Sequence, residues 1–239
     1  MRIRIKFKKY GAMKFIGHLD MMRYFQKAMR RAEIDICYSE GFSPHQIMSF
    51  AAPLGVGITS DGEYLDIEVN STYSTKEAIE RLNATMVEGV EVLDYVELYE
   101  NAKKAMSVVA SASYTLSYKE GYNSPYTANE WKEIIKEKFI DRSSFIIIKK
   151  TKKSEKEMDL KPLVEQFDVS DNAGTIEFSI KVTTGSTNNV KPELVLQSIY
   201  KELNLEYDTD AIQIHRKDVF AFNDKEELVP LIAFGREIL

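Results

Sequence analysis

Short alternations of apolar and polar residues and several amphipathic stretches divide this chain into elements. Between Arg2 and Lys8, Ile3, Ile5 and Phe7 fall on one face and Arg2, Arg4, Lys6 and Lys8 on the other. That period of two predicts a half-buried strand with a basic outer face. Gly11 breaks it. From His18 to Ala32, Leu19, Met22, Phe25 and Met29 recur at helical spacing, and Arg23, Lys27, Arg30 and Arg31 form a basic stripe along another side. A strand is expected around 34–38. Gly41, Pro44, Pro53, Gly55, Gly57 and Gly62 then interrupt any long element, apart from a short strand around 46–50. Alternation resumes over 64–69, a helix follows over 75–86, and a strand over 90–98.

The second half echoes this order without repeating the sequence. Strands are predicted at 107–118, 144–150, 175–182 and 211–219, and helices at 127–139 and 192–203, with Pro192 in the first turn of the latter. A charged hairpin-like excursion follows the third of these segments, 144–150, and a short element is expected at 160–167. The fold class expected is α+β, two tandem ferredoxin-like (βαββαβ) units with antiparallel sheets. The first would span 1–101 and the second 102–239, the latter including a docked apolar tail around Leu228–Phe234.

Composition narrows the class. At 239 residues with 44% hydrophobic and 29% charged residues, the chain is long enough for two cores and ordinary for a globular protein. It has no apolar run of membrane-spanning length and no signal-peptide pattern at its N-terminus, so the expectation is a cytoplasmic protein. One cysteine, Cys37, excludes an internal disulfide and any iron–sulfur cluster held by several of its own thiolates. The net charge of −5 hides an asymmetry: residues 1–50 carry ten Lys/Arg against four Asp/Glu. An anionic partner would meet the chain there.

Candidate chemistry gathers in residues 15–66. His18 and Asp20 fall at a helix start, where an anion is welcome, with Arg23 one turn on; the plain alternative is that Asp20 only caps the helix. His45 lies in the loop Gly-Phe-Ser-Pro-His. If that loop folds over the helix start, His18 and His45 could exchange protons near neutral pH. His18, Asp20, His45 and Glu63 are chemically suitable metal ligands, but no recognised spacing supports a metal and none is expected; no motif calls for a cofactor. Gly55 and Gly57 lack the third glycine of a dinucleotide turn. His215, beside Arg216 and Lys217, reads as structural or superficial. The basic helix and strand, with Phe42, Tyr24 and Tyr64 as stacking surfaces, suit RNA. Lys149, Lys150, Lys152, Lys153 and Lys156 form a second patch.

At Gly17-His18-Leu19-Asp20, Arg30-Arg31, Gly41-Phe42-Ser43-Pro44-His45 and the turn before Glu63, the sequence resembles the bacterial radical-SAM-linked family, an uncharacterised domain found beside or fused to radical S-adenosylmethionine proteins. The resemblance is specific over about residues 2–70 and implies a radical SAM partner, with no activity to carry over. The enzyme itself needs three cysteines for its cluster, so the chain is expected to be an accessory that presents RNA or another anionic substrate. The anion-binding set would be His18, Asp20, Arg23, Lys27, Arg30, Arg31, Phe42, His45 and Glu63. Two other readings stand beside it: a metal-independent RNA-cleaving or RNA-modifying enzyme using His18 and His45, and a protein-interaction module.

Overall fold

A computed structural model describes residues 1–150, 155–185 and 188–239. In chain order the elements are β1 (Arg2–Lys9), α1 (His18–Arg31), β2 (Met48–Phe50), β3 (Thr59–Glu68), α2 (Thr75–Asn83), β4 (Val90–Leu98), the one-turn α3 (Ala105–Val108), β5 (Ser111–Tyr118), α4 (Ala128–Ile135), β6 (Ile146–Lys150), β7 (Glu155–Asp159), β8 (Val164–Asn172), β9 (Thr175–Thr183), α5 (Pro192–Glu202), β10 (Ile212–Phe222), β11 (Leu228–Pro230) and β12 (Gly235–Arg236). The fold is mixed α+β with antiparallel strand pairing. The chain divides into two compact units, one of Met1–Ala110 with Arg216–Leu239 and one of Ser111–His215.

In the first unit β1 lies between β3 and β4, β2 pairs with β3, and β12 pairs with the outer edge of β4. Ile3, Ile5 and Phe7 are buried against Met21, Phe25 and Met29 of α1 and Ala78 and Leu82 of α2. The rings of Phe7, Phe25 and Phe50 cluster with centroids 4.7–6.0 Å apart. The buried residues of α1 are Met21, Phe25, Ala28 and Met29, while Leu19 points outward, 66% exposed. The helix is therefore turned slightly from the phase that its apolar residues predicted. The expected strand around 34–38 is reduced to two isolated bridges, Ile36 with Val69 and Tyr38 with Gln46.

The largest departure concerns the other face of β1. Predicted as a basic surface, it is covered by the segment following β4 and by the turn Leu231–Phe234. Arg4 is fully buried; it grips Asp66, its direct partner across β3, through Nε at 2.7 Å and Nη2 at 2.9 Å. It also donates to the carbonyls of Leu231 at 2.8 Å and Lys103 at 3.2 Å. Arg2 donates to the carbonyls of Tyr99, Glu100 and Ala102. Lys6 pairs with Asp218 at 2.7 Å and Lys8 with Glu91 at 3.2 Å. A buried cation needs such partners because it has lost its water.

The unit boundary differs from the expected residue 101, and the tail belongs to the first unit. Gly235 pairs with Leu98, and the backbone of Ile238 is tied to Thr75 in both directions. Gly62, read as a loop breaker, lies inside β3. A Cβ there would meet the Asp218 Cα at 2.6 Å, so glycine permits the backbone of β10 to approach.

In the second unit β9 lies between β5 and β8, and the Lys119 N–H donates to the Ala211 carbonyl where the chain enters β10. Trp131 of α4 is fully buried, edge-on to Phe178. A reciprocal bond between Thr127 and Glu130 caps α4. The predicted strand 144–150 pairs only with β7, in a separate two-stranded sheet. The place beside β9 is taken by β8, from the region read as a short element. The side chains of the second basic patch, Lys149, Lys150, Lys152, Lys153 and Lys156, lie outside the described residues.

Candidate nucleic-acid interface

The start of α1 is built over a buried ionic group. Gly17 occupies the N-cap position without a side-chain cap. The His18 ring meets Phe50 edge-on at 5.2 Å and, with Lys9, Met21, Pro53, Leu54 and Glu63, lines a cavity of about 20 Å³, room for one water molecule. Lys9 donates to the Ile16 carbonyl at 2.6 Å. Glu63 is paired with Arg216 at 3.0 Å, and Arg216 also donates to the Ala52 carbonyl at 2.7 Å. Burial pushes the Glu63 carboxyl up, against the opposing pull of Arg216, Ser60 and Lys9. Burial also lowers the Lys9 ammonium, partly offset by Glu63. Glu63, expected in an exposed anion site, is instead the counter-ion of a buried arginine.

Lys9 and Arg216 were missed from the sequence, although Lys9 has a parity signal, continuing the inward series Ile3, Ile5, Phe7. Arg216 has none, because the buried Val219 and Ala221 of β10 fall on the opposite parity. A charge in register with an apolar face marks a buried partner.

The two predicted proton-transfer histidines have different surroundings. His45 is exposed and bonded within its own loop: its Nδ1 is 2.8 Å from Ser39 Oγ, and its backbone N–H donates to the same hydroxyl. The adjoining Gln46 amide donates to the Gln26 carbonyl at 3.3 Å. Gln26 lies eight residues beyond His18, about 12 Å along the helix. The loop carrying His45 is thus latched to the middle of α1. The part of the Gly/Pro excursion that covers the helix start is Phe50–Leu54. Among the described residues no three His, Cys, Asp or Glu side chains are arranged to hold a metal ion.

The outer face of α1 keeps its predicted character. Arg23, Lys27 and Arg30, at i, i+4 and i+7, are exposed and follow one stripe along the helix. Asp20 forms an exposed pair with Arg23 at 3.2 Å, which solvent screens. Arg31 turns away and donates to the Thr85 carbonyl at 3.1 Å. Phe42 is completely exposed at the tip of the latched loop. Tyr38, in the same loop, is about half exposed. Tyr64 is buried and donates to Asp218 at 2.6 Å, and Tyr24 donates to Met86. The burial of Tyr64 leaves it no ring face for a base, whereas Tyr24 is half-buried.

Among the described residues no helix is long and apolar enough to cross a membrane. No curated protein matches the chain. The crystal structure of a Cbf5-Nop10-Gar1 complex aligns over 91% of this chain and 48% of its own, at 11% identity and a TM-score of 0.47; this chain thus spans about half the length of that one. The crystal structure of an unknown protein from Galdieria sulphuraria aligns over 90% of this chain and 96% of its own, at 11% identity and a TM-score of 0.23. The sequence matches a bacterial family across residues 2–192, well over half its length, and the chain therefore belongs to DUF2344, the uncharacterised proteins conserved in bacteria.

Proposed function

We propose that this protein is a non-catalytic accessory that binds single-stranded RNA along the outer face of α1 and presents it to a partner enzyme. The observation that carries this reading is the exposed stripe Arg23, Lys27 and Arg30, flanked by a loop latched to the same helix that holds Phe42 fully in solvent. Cations beside an exposed ring are what a flexible polyanion with stacking bases requires. The partner assigned is a radical S-adenosylmethionine protein, from the resemblance over residues 2–70. Strand order within each unit supports reading the scaffold as two ferredoxin-like units, the second carrying the inserted hairpin β6–β7.

Fluorescence anisotropy with short single-stranded RNA across a salt series tests the reading. Charge reversal of Lys27 and Arg30 together should abolish tight binding and reduce the salt slope by about 1.4, at ~0.7 per lost phosphate contact. Phe42→Ala should weaken binding by about 1–3 kcal/mol while leaving the salt slope intact. RNA affinity unchanged in both variants at low salt would reject this interface. A partner captured equally well by wild type and variants, with no RNA affinity in either, would point to a protein-interaction module.

A further inference from the structure

The second unit contains a cleft that the RNA reading does not use. Tyr118 at the end of β5, Tyr122 in the following loop, Tyr200 of α5 and Tyr207 after it line a cavity of about 260 Å³, whose lining also includes Glu206 and Asp208. The rings of Tyr200 and Tyr207 pack edge to face at 89° with centroids 5.2 Å apart. Tyr118 and Tyr200 are joined through their hydroxyls. Trp131, fully buried, packs against Tyr200 with ring centroids 5.5 Å apart.

Three features distinguish this cleft from an ordinary surface notch. Tyr118, Tyr122 and Tyr207 bring ring surface to it from two stretches of the chain, while Tyr200, only 5% exposed, is packed against Trp131 and Tyr207. Its lining contains two carboxylates and no lysine or arginine; the adjacent Lys119 extends its ammonium to the Asp210 carbonyl. The hydroxyls of Tyr118, Tyr200 and Tyr207 are all pushed above the ordinary tyrosine range, chiefly by burial, and remain neutral. Glu206 and Asp208 therefore supply the negative charge, and the ring faces add their quadrupoles. A cavity of this size admits a compact head group rather than an extended drug-sized molecule.

We infer that the Tyr118–Tyr122–Tyr200–Tyr207 cleft is a binding site for an alkylammonium cation of the quaternary type. Such a cation carries diffuse charge on an apolar surface, so it loses little hydration on entry and gains attraction to each ring. A simple ammonium or a metal ion would demand directed oxygen ligands instead. The same trimethylammonium chemistry occurs in free small molecules such as choline and on methylated lysine side chains. Both sources are included in the test.

The chain of 239 residues is titrated with choline, with a short trimethyl-lysine peptide and with dimethylbutanol, the uncharged isostere of choline, and the tyrosine ring resonances are followed by NMR. Choline or the peptide should shift the rings of Tyr122 and Tyr207, and dimethylbutanol should bind about tenfold more weakly than choline. Tighter binding of choline than of the peptide assigns a free small molecule; the reverse order assigns a methylated polypeptide. Tyr122 is 44% exposed, so Tyr122→Ala leaves the unit folded, as the fluorescence of buried Trp131 can verify. That variant should lose about tenfold in affinity, Tyr122→Phe should retain it, and Glu206→Gln with Asp208→Asn should weaken it in a salt-dependent manner. The inference is overturned if neither cation shifts these rings, if dimethylbutanol binds as well as choline, or if Tyr122→Ala binds as tightly as wild type.

Discussion

Replacing Arg4 by methionine asks whether the basic face of β1 is structural. The guanidinium makes four hydrogen bonds, two to Asp66 and one each to the carbonyls of Leu231 and Lys103, and the side chain has no exposed surface. Methionine fills similar space but leaves Asp66, 12% exposed, with only the Ala105 N–H at 2.7 Å. Removing one member of a buried pair costs about 3–5 kcal/mol because the other charge stays desolvated. Against a typical stability of about 5–15 kcal/mol, that is a large fraction. Asp66→Leu should cost a comparable amount, and the double variant should be less destabilised than the two singles summed, by about 2–3 kcal/mol.

The only tryptophan, Trp131, belongs to the other unit, so its fluorescence does not report this one. Native-state hydrogen exchange at the β1 and β3 amides measures the loss where it falls. A loss under about 1 kcal/mol, the value of an exposed pair, would refute the reasoning. It would mean that Arg4 is solvated and would return the strand face to the list of RNA contacts.

Further perturbations probe other parts of the fold. Gly62→Ala should destabilise the first unit by about 1–3 kcal/mol, since the new methyl meets backbone atoms of Lys217 and Asp218 at 2.6–2.8 Å; an unchanged melting temperature would show that β10 yields freely. Thr127→Ala should cost about 1 kcal/mol through the lost N-cap of α4, read from urea titration of Trp131 fluorescence. The Glu130 carboxyl is held below the ordinary glutamate range by the backbone N–H and then the hydroxyl of Thr127. Its contribution is accordingly present above that range and lost as pH falls through the lowered value. Glu130→Gln should flatten this acid limb of stability, and an unaltered acid limb in the variant would rule out that assignment.

The residues around α1 divide sharply by depth. Lys9, Glu63 and Arg216 are buried beneath the helix start, and His18, half-buried, lines the small cavity there. Arg23, Lys27, Arg30 and Phe42 remain in solvent. A substitution beneath the helix should therefore act on stability, and a substitution outside it on binding.

Local pattern alone determined most of the elements of this protein. The alternation of β1, the helical spacing of α1 and the punctuation of the loop place strands, helices and the exposed stripe, because period and turn chemistry act within a few residues. Even Lys9, in phase with Ile3, Ile5 and Phe7, carried a legible sign of burial. Tertiary structure decided what covers each face. Arg2, Arg4, Lys6 and Lys8 alternate as an exposed row would, and only the return of the segment after β4 and the turn Leu231–Phe234 takes several of their charges out of water. The phase of α1, with Met21 inward and Leu19 outward, follows from the sheet it packs on. The segment 146–150 is strongly strand-forming, but its partner is a long-range choice: it pairs with β7, and β8 lies beside β9. The four tyrosines of the second-unit cleft are up to 89 positions apart in the chain, and only folding brings them to a common wall.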